Sequence, residues 1–276
     1  MMSLGMKNAE CGMRNQGAGG REQGIETGNH GMIMRMDDEY LLSLILPAYN
    51  EEKRLPECME KAAGFIASHS EPIEVILVEN GSSDRTYAMG LEYAKQYPWL
   101  KVIHEGKAGK GSAVRRGMLE AKGRYRMFAD VDFSMPISEV DHFIPPALAD
   151  YDVAIGSREV AGAKRYDEPP RRHFTGRVFN LIVRILAVPG IHDTQCGFKC
   201  FSAKAAERLF RAQKIDGWAF DAEVLFLAQH FGYKIIEVPV QWYYDGNSKI
   251  NVIRDSVKMF RELLQIRKNY RAGLYG

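Results

Sequence analysis

The chain has 276 residues, of which 46% are hydrophobic, and its formal net charge is +2. This is enough apolar material for one large domain or two small ones. The near-neutral charge balance argues against nucleic acid as the main partner, because proteins that bind nucleic acids usually carry a strongly basic surface. The four cysteines fit neither a zinc site nor a disulfide framework, since no second close pair accompanies Cys196 and Cys200. We expect reduced thiols in a cytosolic protein.

Residues 1–38 are rich in Gly, Asn, Gln and Met and show no apolar period. We expect a disordered tail over 1–38 and a single domain over 39–276. No run reaches the 18 or so apolar residues of a membrane span, and no signal-peptide pattern is present. The expected location is therefore cytoplasmic, without a transmembrane span.

Apolar runs and helical patterns alternate from residue 41 to residue 158. Strands are predicted in LLSLILPAYN, IEVILVENGSSD, LKVIHE, YRMFAD and DVAIGSR, and helices in EEKRLPECMEKAAGFIASH, TYAMGLEYAKQY and GKAGKGSAVRRGMLEAKG. This alternation predicts an α/β fold with a mostly parallel sheet and crossover helices. After residue 160 helices are expected to dominate, so the second half should extend the acceptor side and add no strands to the sheet.

Polar side chains stand at the end of each predicted strand, where parallel α/β sheets bind ligands. The segment FADVDFSMP places Asp130 and Asp132 two residues apart at one such end. The pair could belong to a solvated turn, or it could precede a helix that begins near Pro136 and Ser138. Alternatively, two carboxylates on the same side of an extended backbone repel each other unless a cation lies between them. Mg²⁺ or Mn²⁺, completed by a diphosphate, is the natural occupant of such a site.

Two further strand ends carry candidate chemistry. In KAGKGSAVRRG, glycines beside Lys107 and Lys110 precede a helix, an arrangement that suits anionic oxygens but also a flexible surface loop. In VENGSSDRT, carboxylate and amide side chains could hold a nucleoside, or they could form only a turn and a helix cap. The loop lacks the Walker A order, and no G-x-G-x-x-G follows the first strand.

These motifs occur in an order that resembles the inverting family 2 glycosyltransferases with the GT-A fold. The later segments PGIHDTQCGFKCF, WAFDAEVLFLAQHFGY, IIEVPVQW and NSKI are similar to dolichyl-phosphate β-glucosyltransferases and related polyprenyl-phosphate sugar transferases. The resemblance covers about residues 41–268, and its most specific part is the DTQCGFK block. It implies a nucleotide-sugar and metal half over 39–160 and an acceptor half with amphipathic helices over 161–276.

The resemblance also implies roles for individual residues. The nucleotide-sugar site would comprise Pro47, Tyr49, Glu51, Asn80, Asp84, Lys110 and Asp130. Asp130 and Asp132 would hold Mg²⁺ or Mn²⁺, with Ser134 nearby. Asp132, Arg158 and Asp193 would be catalytic, and Gln195, Arg171, Arg172 and Lys249 would bind the acceptor. The pair Glu79 and Asn80 departs from the two acidic residues that the family usually has, which puts base and ribose recognition in question.

The implied reaction moves a hexose, with UDP-glucose favoured as donor, to dolichyl or another polyprenyl phosphate. Asp193 would act as an orienting group or a weak base, and Asp221 is either an alternative base or a helix N-cap. A soluble family 2 transferase with a small or saccharide acceptor, or a non-catalytic nucleotide-sugar-binding regulator, is the alternative.

Two apolar stripes are candidates for contact with a lipid surface. The first comprises Phe174, Val178, Leu181, Ile185 and Val188, and the second Ile253, Val257, Phe260 and Leu264. Both stripes lie in basic segments, and such helices can rest in a headgroup layer or simply pack on the sheet. We expect peripheral attachment to the cytosolic membrane face.

Overall fold

The protein is described from a computed structural model, which covers residues 40–246 and 252–276. The predicted tail over 1–38 and the candidate Lys249 lie outside the described residues. Within this coverage, no helix combines the length and the apolar character that are needed to cross a bilayer.

The strands are β1 Tyr40–Ala48, β2 Ile73–Glu79, β3 Leu100–His104, β4 Gly123–Phe128, β5 Val153–Ser157, β6 Lys164–Tyr166, β7 Lys199–Ser202, β8 Ile235–Pro239 and β9 Gln241–Tyr243. The helices are α1 Leu55–Ala67, α2 Thr86–Gln96, α3 Lys110–Glu120, α4 Pro170–Leu186, α5 Ala203–Ala212, α6 Phe220–His230 and α7 Val252–Arg271. A 3-10 helix over Ile137–Phe143 follows the FADVDFSMP segment. All five predicted strands and the three predicted helices between the first four strands are confirmed.

Seven strands form the main sheet in the order β3-β2-β1-β4-β7-β5-β8. The neighbours β1 and β2, β1 and β4, β2 and β3, and β5 and β8 are parallel, whereas β7 is antiparallel to both β4 and β5. The expectation that the second half adds no strands to the sheet is therefore wrong. Both missed strands are short, and β7 carries a charged residue, Lys199, in its buried run, which weakens the apolar signal.

The sheet is covered on both faces, because alternate residues of its strands enter two separate clusters. Ile45 of β1 packs in a cluster with side chains of α3, α5 and α6, while Leu44 and Leu46 pack in the other cluster with α1. Burial on both faces explains why β1 and β2 are continuous apolar runs. Because β1, β2 and β4 run parallel, their carboxyl ends lie at the same edge of the sheet.

A small parallel sheet of β6 and β9 lies beside this edge. It is attached to the segment after β4, since the backbone N–H of Tyr243 donates to the carbonyl of Ser134 at 2.7 Å. The second half of the chain thus reaches the site through β7 and β9 as well as through helices.

Candidate active site

Asp130 and Asp132 lie in a tight turn just beyond the end of β4. The N–H of Phe133 donates to the carbonyl of Asp130 at 3.1 Å, and Phe133 takes a positive φ of 43°. One carboxylate oxygen of Asp132 accepts the N–H of Ser134 at 2.9 Å. Burial, and next the charge of Asp130, raise the pKa of the Asp132 carboxyl. The turn therefore holds two carboxylates close enough to repel each other.

The acid pair already has a cationic side chain beside it, the ammonium of Lys110. The Nζ of Lys110 lies 2.5 Å from Oδ1 of Asp130. Gly197 of the DTQCGFK block lies directly against this carboxylate, and a Cβ on that glycine would clash with it. Carboxylate oxygens suit hard cations such as Mg²⁺ and Mn²⁺. Within the described residues no third acidic, His or Cys side chain completes a metal cluster, so a bound anion or water would have to supply further ligands.

Lys110 is positioned by the glycine loop that precedes α3. Gly109 has a φ of 127°, and a Cβ there would clash with the backbone oxygen of Asp216. The side chain of Asn80 spans the loop, since its Oδ1 accepts the N–H of Gly109 at 2.9 Å and its Nδ2 donates to the carbonyl of Lys107 at 2.5 Å. These polar atoms fix the loop, a role that the sequence did not indicate for Asn80.

Three of the candidate nucleoside residues lie at the end of β1 or directly after it. Pro47 is half-buried within the strand, and Tyr49, directly after the strand, is 54% exposed. Glu51 forms an ion pair of 3.1 Å with Arg54 at the start of α1. An exposed ring beside a polar strand end is a suitable platform for a nucleobase.

Asp84 joins the strand ends of β1 and β2. One of its oxygens accepts the N–H of Glu52 at 3.2 Å, and the other accepts the N–H of Thr86 at 2.9 Å. Asp84 therefore supports the turn before α2, whose N-cap residue is Arg85. Glu79, at the end of β2, is buried and lies 2.6 Å from Nδ1 of His104.

Arg158 and Asp193 form a bidentate ion pair at the end of β5. The distances are 2.7 Å from Nε to Oδ2 and 3.0 Å from Nη2 to Oδ1. The backbone N–H of Arg158 donates to the same carboxylate at 3.0 Å, and the guanidinium lies 5.3 Å from the ring centre of Trp242. Burial alone would raise the pKa of Asp193, but the charge and hydrogen bonds of Arg158 lower it to about 2. Such a carboxylate has almost no proton affinity near neutral pH, which fits an orienting group better than a base.

The candidate acceptor residues are only partly described. The N–H of Gln195 donates to Oδ1 of Asp193 at 3.2 Å, so these two residues do lie together. Arg171 and Arg172 fall in the first turn of α4, but their side chains are outside the described ones.

Asp221 and Lys199 form a buried ion pair that sequence reasoning missed. The Nζ of Lys199 lies 2.6 Å from Oδ1 of Asp221 and 2.5 Å from the carbonyl of Cys196. Because α6 begins at Phe220 with Ala219 as its N-cap residue, the interpretation of Asp221 as an N-cap is wrong. A lysine inside the apolar run CGFKCF was the available signal, since a fully buried lysine needs a partner.

The carboxylates of Asp130 and Asp221 both affect the pKa of Lys110. Burial lowers the pKa of its ammonium, but attraction first to Asp130 and then to Asp221 outweighs burial, so the pKa is raised. Burial also raises the pKa of Asp221, which the charges of Lys199 and Lys110 only partly offset. Lys110 is therefore a firmly cationic group at the edge of the acid pair.

A cavity of about 230 Å³ opens beside the acid pair. Asp132 and Phe133 form one wall, and Arg54 and Asp245, which are paired at 2.6 Å, form another. The site therefore offers a polar space that is bounded by carboxylates and cations at the carboxyl edge of the sheet.

The sequence matches the model of glycosyl transferase family 2 over residues 43–210. Dolichyl-phosphate beta-glucosyltransferase of Drosophila melanogaster is 36% identical over 253 residues, which cover 85% of this chain and 76% of that protein. The Homo sapiens protein of the same name is 34% identical over 251 residues, with coverage of 85% and 77%.

A solved structure supports the fold assignment. Glucosyl-3-phosphoglycerate synthase from Mycobacterium tuberculosis, in complex with Mn²⁺, uridine diphosphate and glucosyl-3-phosphoglycerate, matches with a TM-score of 0.59. The match has 15% sequence identity and covers 82% of this chain and 80% of that chain. It confirms the predicted α/β fold of the GT-A type. Together with the family match and the two relatives, it leads to one assignment: the chain belongs to glycosyl transferase family 2.

Proposed function

We propose that the protein transfers glucose from UDP-glucose to dolichyl phosphate or another polyprenyl phosphate, with inversion at the anomeric carbon. The observation that carries the proposal is the acid pair Asp130 and Asp132, with the ammonium of Lys110 2.5 Å from Asp130. This is a site for a diphosphate and its counter-ion at the strand ends of a GT-A fold. The names of the relatives supply the donor sugar and the lipid acceptor.

Asp130 and Asp132 would hold Mg²⁺ or Mn²⁺. The residues fit such an ion, because they are hard oxygen donors whose mutual repulsion a cation relieves. When bound, the ion neutralises charge on the departing diphosphate. Lys110 contributes a second positive charge to the same oxygens.

The acceptor needs positioning more than deprotonation. A phosphate monoester is largely dianionic near neutral pH, because its second pKa is about 6. One of its oxygens forms the new bond to the anomeric carbon, while the bond from that carbon to the diphosphate oxygen breaks and the nucleotide leaves with the electron pair. The low pKa of Asp193 agrees with a reaction that needs no strong base.

The remaining residues divide between donor and acceptor. Tyr49 would stack on the nucleobase, with Pro47, Glu51, Asn80 and Asp84 forming the walls of the nucleoside pocket. The pair of Arg158 and Asp193 would orient the sugar and the incoming phosphate. Gln195, Arg171, Arg172 and Lys249 would bind the acceptor.

The experiment is a panel of UDP-glucose, UDP-galactose and GDP-mannose, each incubated with a polyprenyl phosphate and Mg²⁺ or Mn²⁺. Lipid-linked sugar is read by mass spectrometry. We expect product chiefly from UDP-glucose, and its loss in Asp132→Ala. Asp141→Ala is the matched control, because Asp141 is an exposed carboxylate of the neighbouring 3-10 helix. Transfer only to water-soluble acceptors would contradict the proposal.

We also propose that exposed faces of α4 and α7 rest on the membrane that holds the acceptor. Val257, Phe260 and Leu264 of the second predicted stripe are each about half exposed, which favours contact with a lipid surface over packing on the sheet, while the side chain of Ile253 lies outside the described ones. Leu181 and Ile185 of the first stripe are exposed as well, whereas Val188 is fully buried. Apolar side chains beside basic ones favour an anionic headgroup layer.

Vesicle co-sedimentation tests the membrane proposal. Burying each half-exposed side chain should contribute about 1 kcal/mol. Phe260→Glu with Leu264→Glu should therefore weaken binding to anionic vesicles by about 30-fold. Leu91→Glu is the control, because Leu91 is a similarly exposed apolar residue on α2. Equal binding by both variants, or no binding at any ionic strength, would contradict the proposal.

A further inference from the structure

Four charged side chains of alternating sign connect the acid pair to the interior of the domain. Asp130 contacts Lys110 at 2.5 Å, and Asp221 contacts Lys199 at 2.6 Å. The two pairs lie near each other, because Lys110 begins α3, Asp221 is in the first turn of α6, and these two helix starts meet. Lys199 is fully buried and Lys110 is only 16% exposed. The row is therefore part of the packed structure and not a chance surface contact.

The backbone fixes Lys110 relative to the start of α6. The N–H of Gly111 donates to the carbonyl of Asp216 at 2.8 Å. A Cβ on Gly111 would come within 2.7 Å of the Cβ of Phe220, so α3 and α6 meet at their first turns. The Lys110 ammonium also lies 5.6 Å from the ring centre of Trp218. These contacts place Lys110 beside the acid pair and next to the start of α6, which carries Asp221.

This placement has a consequence for metal binding. One carboxylate oxygen of Asp130, which is a proposed ligand of the divalent ion, already accepts a short charged hydrogen bond from Lys110. A divalent ion that entered alone would have to displace the ammonium or suffer its repulsion at close range. A diphosphate that entered with the ion would offer the ammonium new anionic partners.

We propose that Lys110 acts as a resident counter-ion of Asp130 that makes divalent metal and nucleotide diphosphate bind cooperatively. The proposal rests on the proposed function, because it requires a nucleotide diphosphate as the donor. Asp221 is a positioning residue in this scheme: it shares the charge of Lys110 and keeps the ammonium from binding only to Asp130. Lys199 holds Asp221 in place.

The test measures Mn²⁺ binding with no sugar transfer involved. Free Mn²⁺ is followed by electron paramagnetic resonance, with and without UDP, in the full chain. We expect UDP to tighten Mn²⁺ binding by about tenfold or more in the wild-type protein, within the usual range of coupling between sites. By reciprocity, Mn²⁺ should tighten UDP binding by the same factor.

Substitutions at two positions should move the affinity for Mn²⁺ in the absence of nucleotide in opposite directions. Lys110→Met should tighten it by about fivefold and lower the coupling to UDP, and Lys110→Gln, a second neutral variant, should do the same. Asp221→Asn should weaken it, because Lys110 then pairs with Asp130 alone. Lys101→Met, which removes an exposed lysine of β3, should change neither the affinity for Mn²⁺ without nucleotide nor the coupling to UDP.

The outcomes separate this inference from the proposed function. Tight Mn²⁺ binding by the wild-type protein without UDP, or no tightening in either Lys110 variant, would overturn the role of Lys110. Either result would leave lipid glycosylation intact. Unchanged Mn²⁺ binding and unchanged transfer in Asp132→Ala would instead overturn the metal role of the acid pair.

Discussion

The ion pair between Arg158 and Asp193 gives a prediction whose size can be worked out from the structure. The side chain of Asp193 is 2% exposed, and its carboxylate accepts three hydrogen bonds from Arg158. Its pKa is lowered from an ordinary 3.8 to about 2. At about 1.4 kcal/mol for each pH unit, this depressed pKa corresponds to roughly 2–3 kcal/mol of folding stability near neutral pH.

Asp193→Asn should cost more than this, because it leaves the guanidinium of Arg158 without its counter-charge. Breaking a buried pair from one side typically costs about 3–5 kcal/mol. The double variant Asp193→Asn with Arg158→Gln should recover part of the loss, with a coupling energy of about 2 kcal/mol. Urea unfolding is the assay, followed by tryptophan fluorescence, to which Trp242 beside Arg158 contributes.

The pH dependence tests the same reasoning. Because the folded pKa is depressed, the stabilisation is present above pH 3.8 and is lost only as the pH falls towards 2. The difference in unfolding free energy between wild type and Asp193→Asn should therefore be constant from pH 8 to pH 5. A loss below about 1 kcal/mol, as for exposed pairs, would refute the reasoning. So would a difference that changes across this range, since Asp193 would then titrate like a base.

Two glycines give contrasting predictions. In Gly197→Ala, the added methyl group should push aside the Asp130 carboxylate, which is the end of a side chain. We expect the transfer rate to fall by at least about tenfold with little loss of stability. An unchanged transfer rate would show that the position of this carboxylate does not matter. In Gly109→Ala, the new Cβ would clash with the backbone oxygen of Asp216, and the φ of 127° is unfavourable for alanine. The substitution should therefore lower the unfolding free energy by more than about 1 kcal/mol. A urea midpoint equal to that of the wild type would contradict this prediction.

The first half of the fold was predictable because β1 and β2 are long apolar runs buried on both faces, and helical patterns separate the strands that follow. The second half was not, since β7 has only four residues and includes Lys199, and β8 includes a charged residue among mostly half-buried ones. Period and propensity carry little information over short strands that contain charged residues. The membrane stripes show the same limit: the helical period groups Val188 with Leu181, but the chain leaves α4 before Val188, and this residue packs in the core.

The acid pair and the glycine loop were visible in the sequence because each is a local motif. Their partners were not. Asp193 lies 35 residues from Arg158, and Asp221 lies 22 residues from Lys199. Because β7 pairs antiparallel with β4, Lys199 lies opposite Phe128 and Gly197 lies against the carboxylate of Asp130. A motif therefore indicates which chemistry is present, whereas topology decides which side chains support it.

The most direct test of the central claim is glucose transfer from UDP-glucose to a polyprenyl phosphate after divalent ions have been removed by a chelator. We predict that transfer stops and that added Mn²⁺ or Mg²⁺ restores it in the wild-type protein but not in Asp132→Ala. Transfer at the full rate by the chelator-treated protein would contradict it.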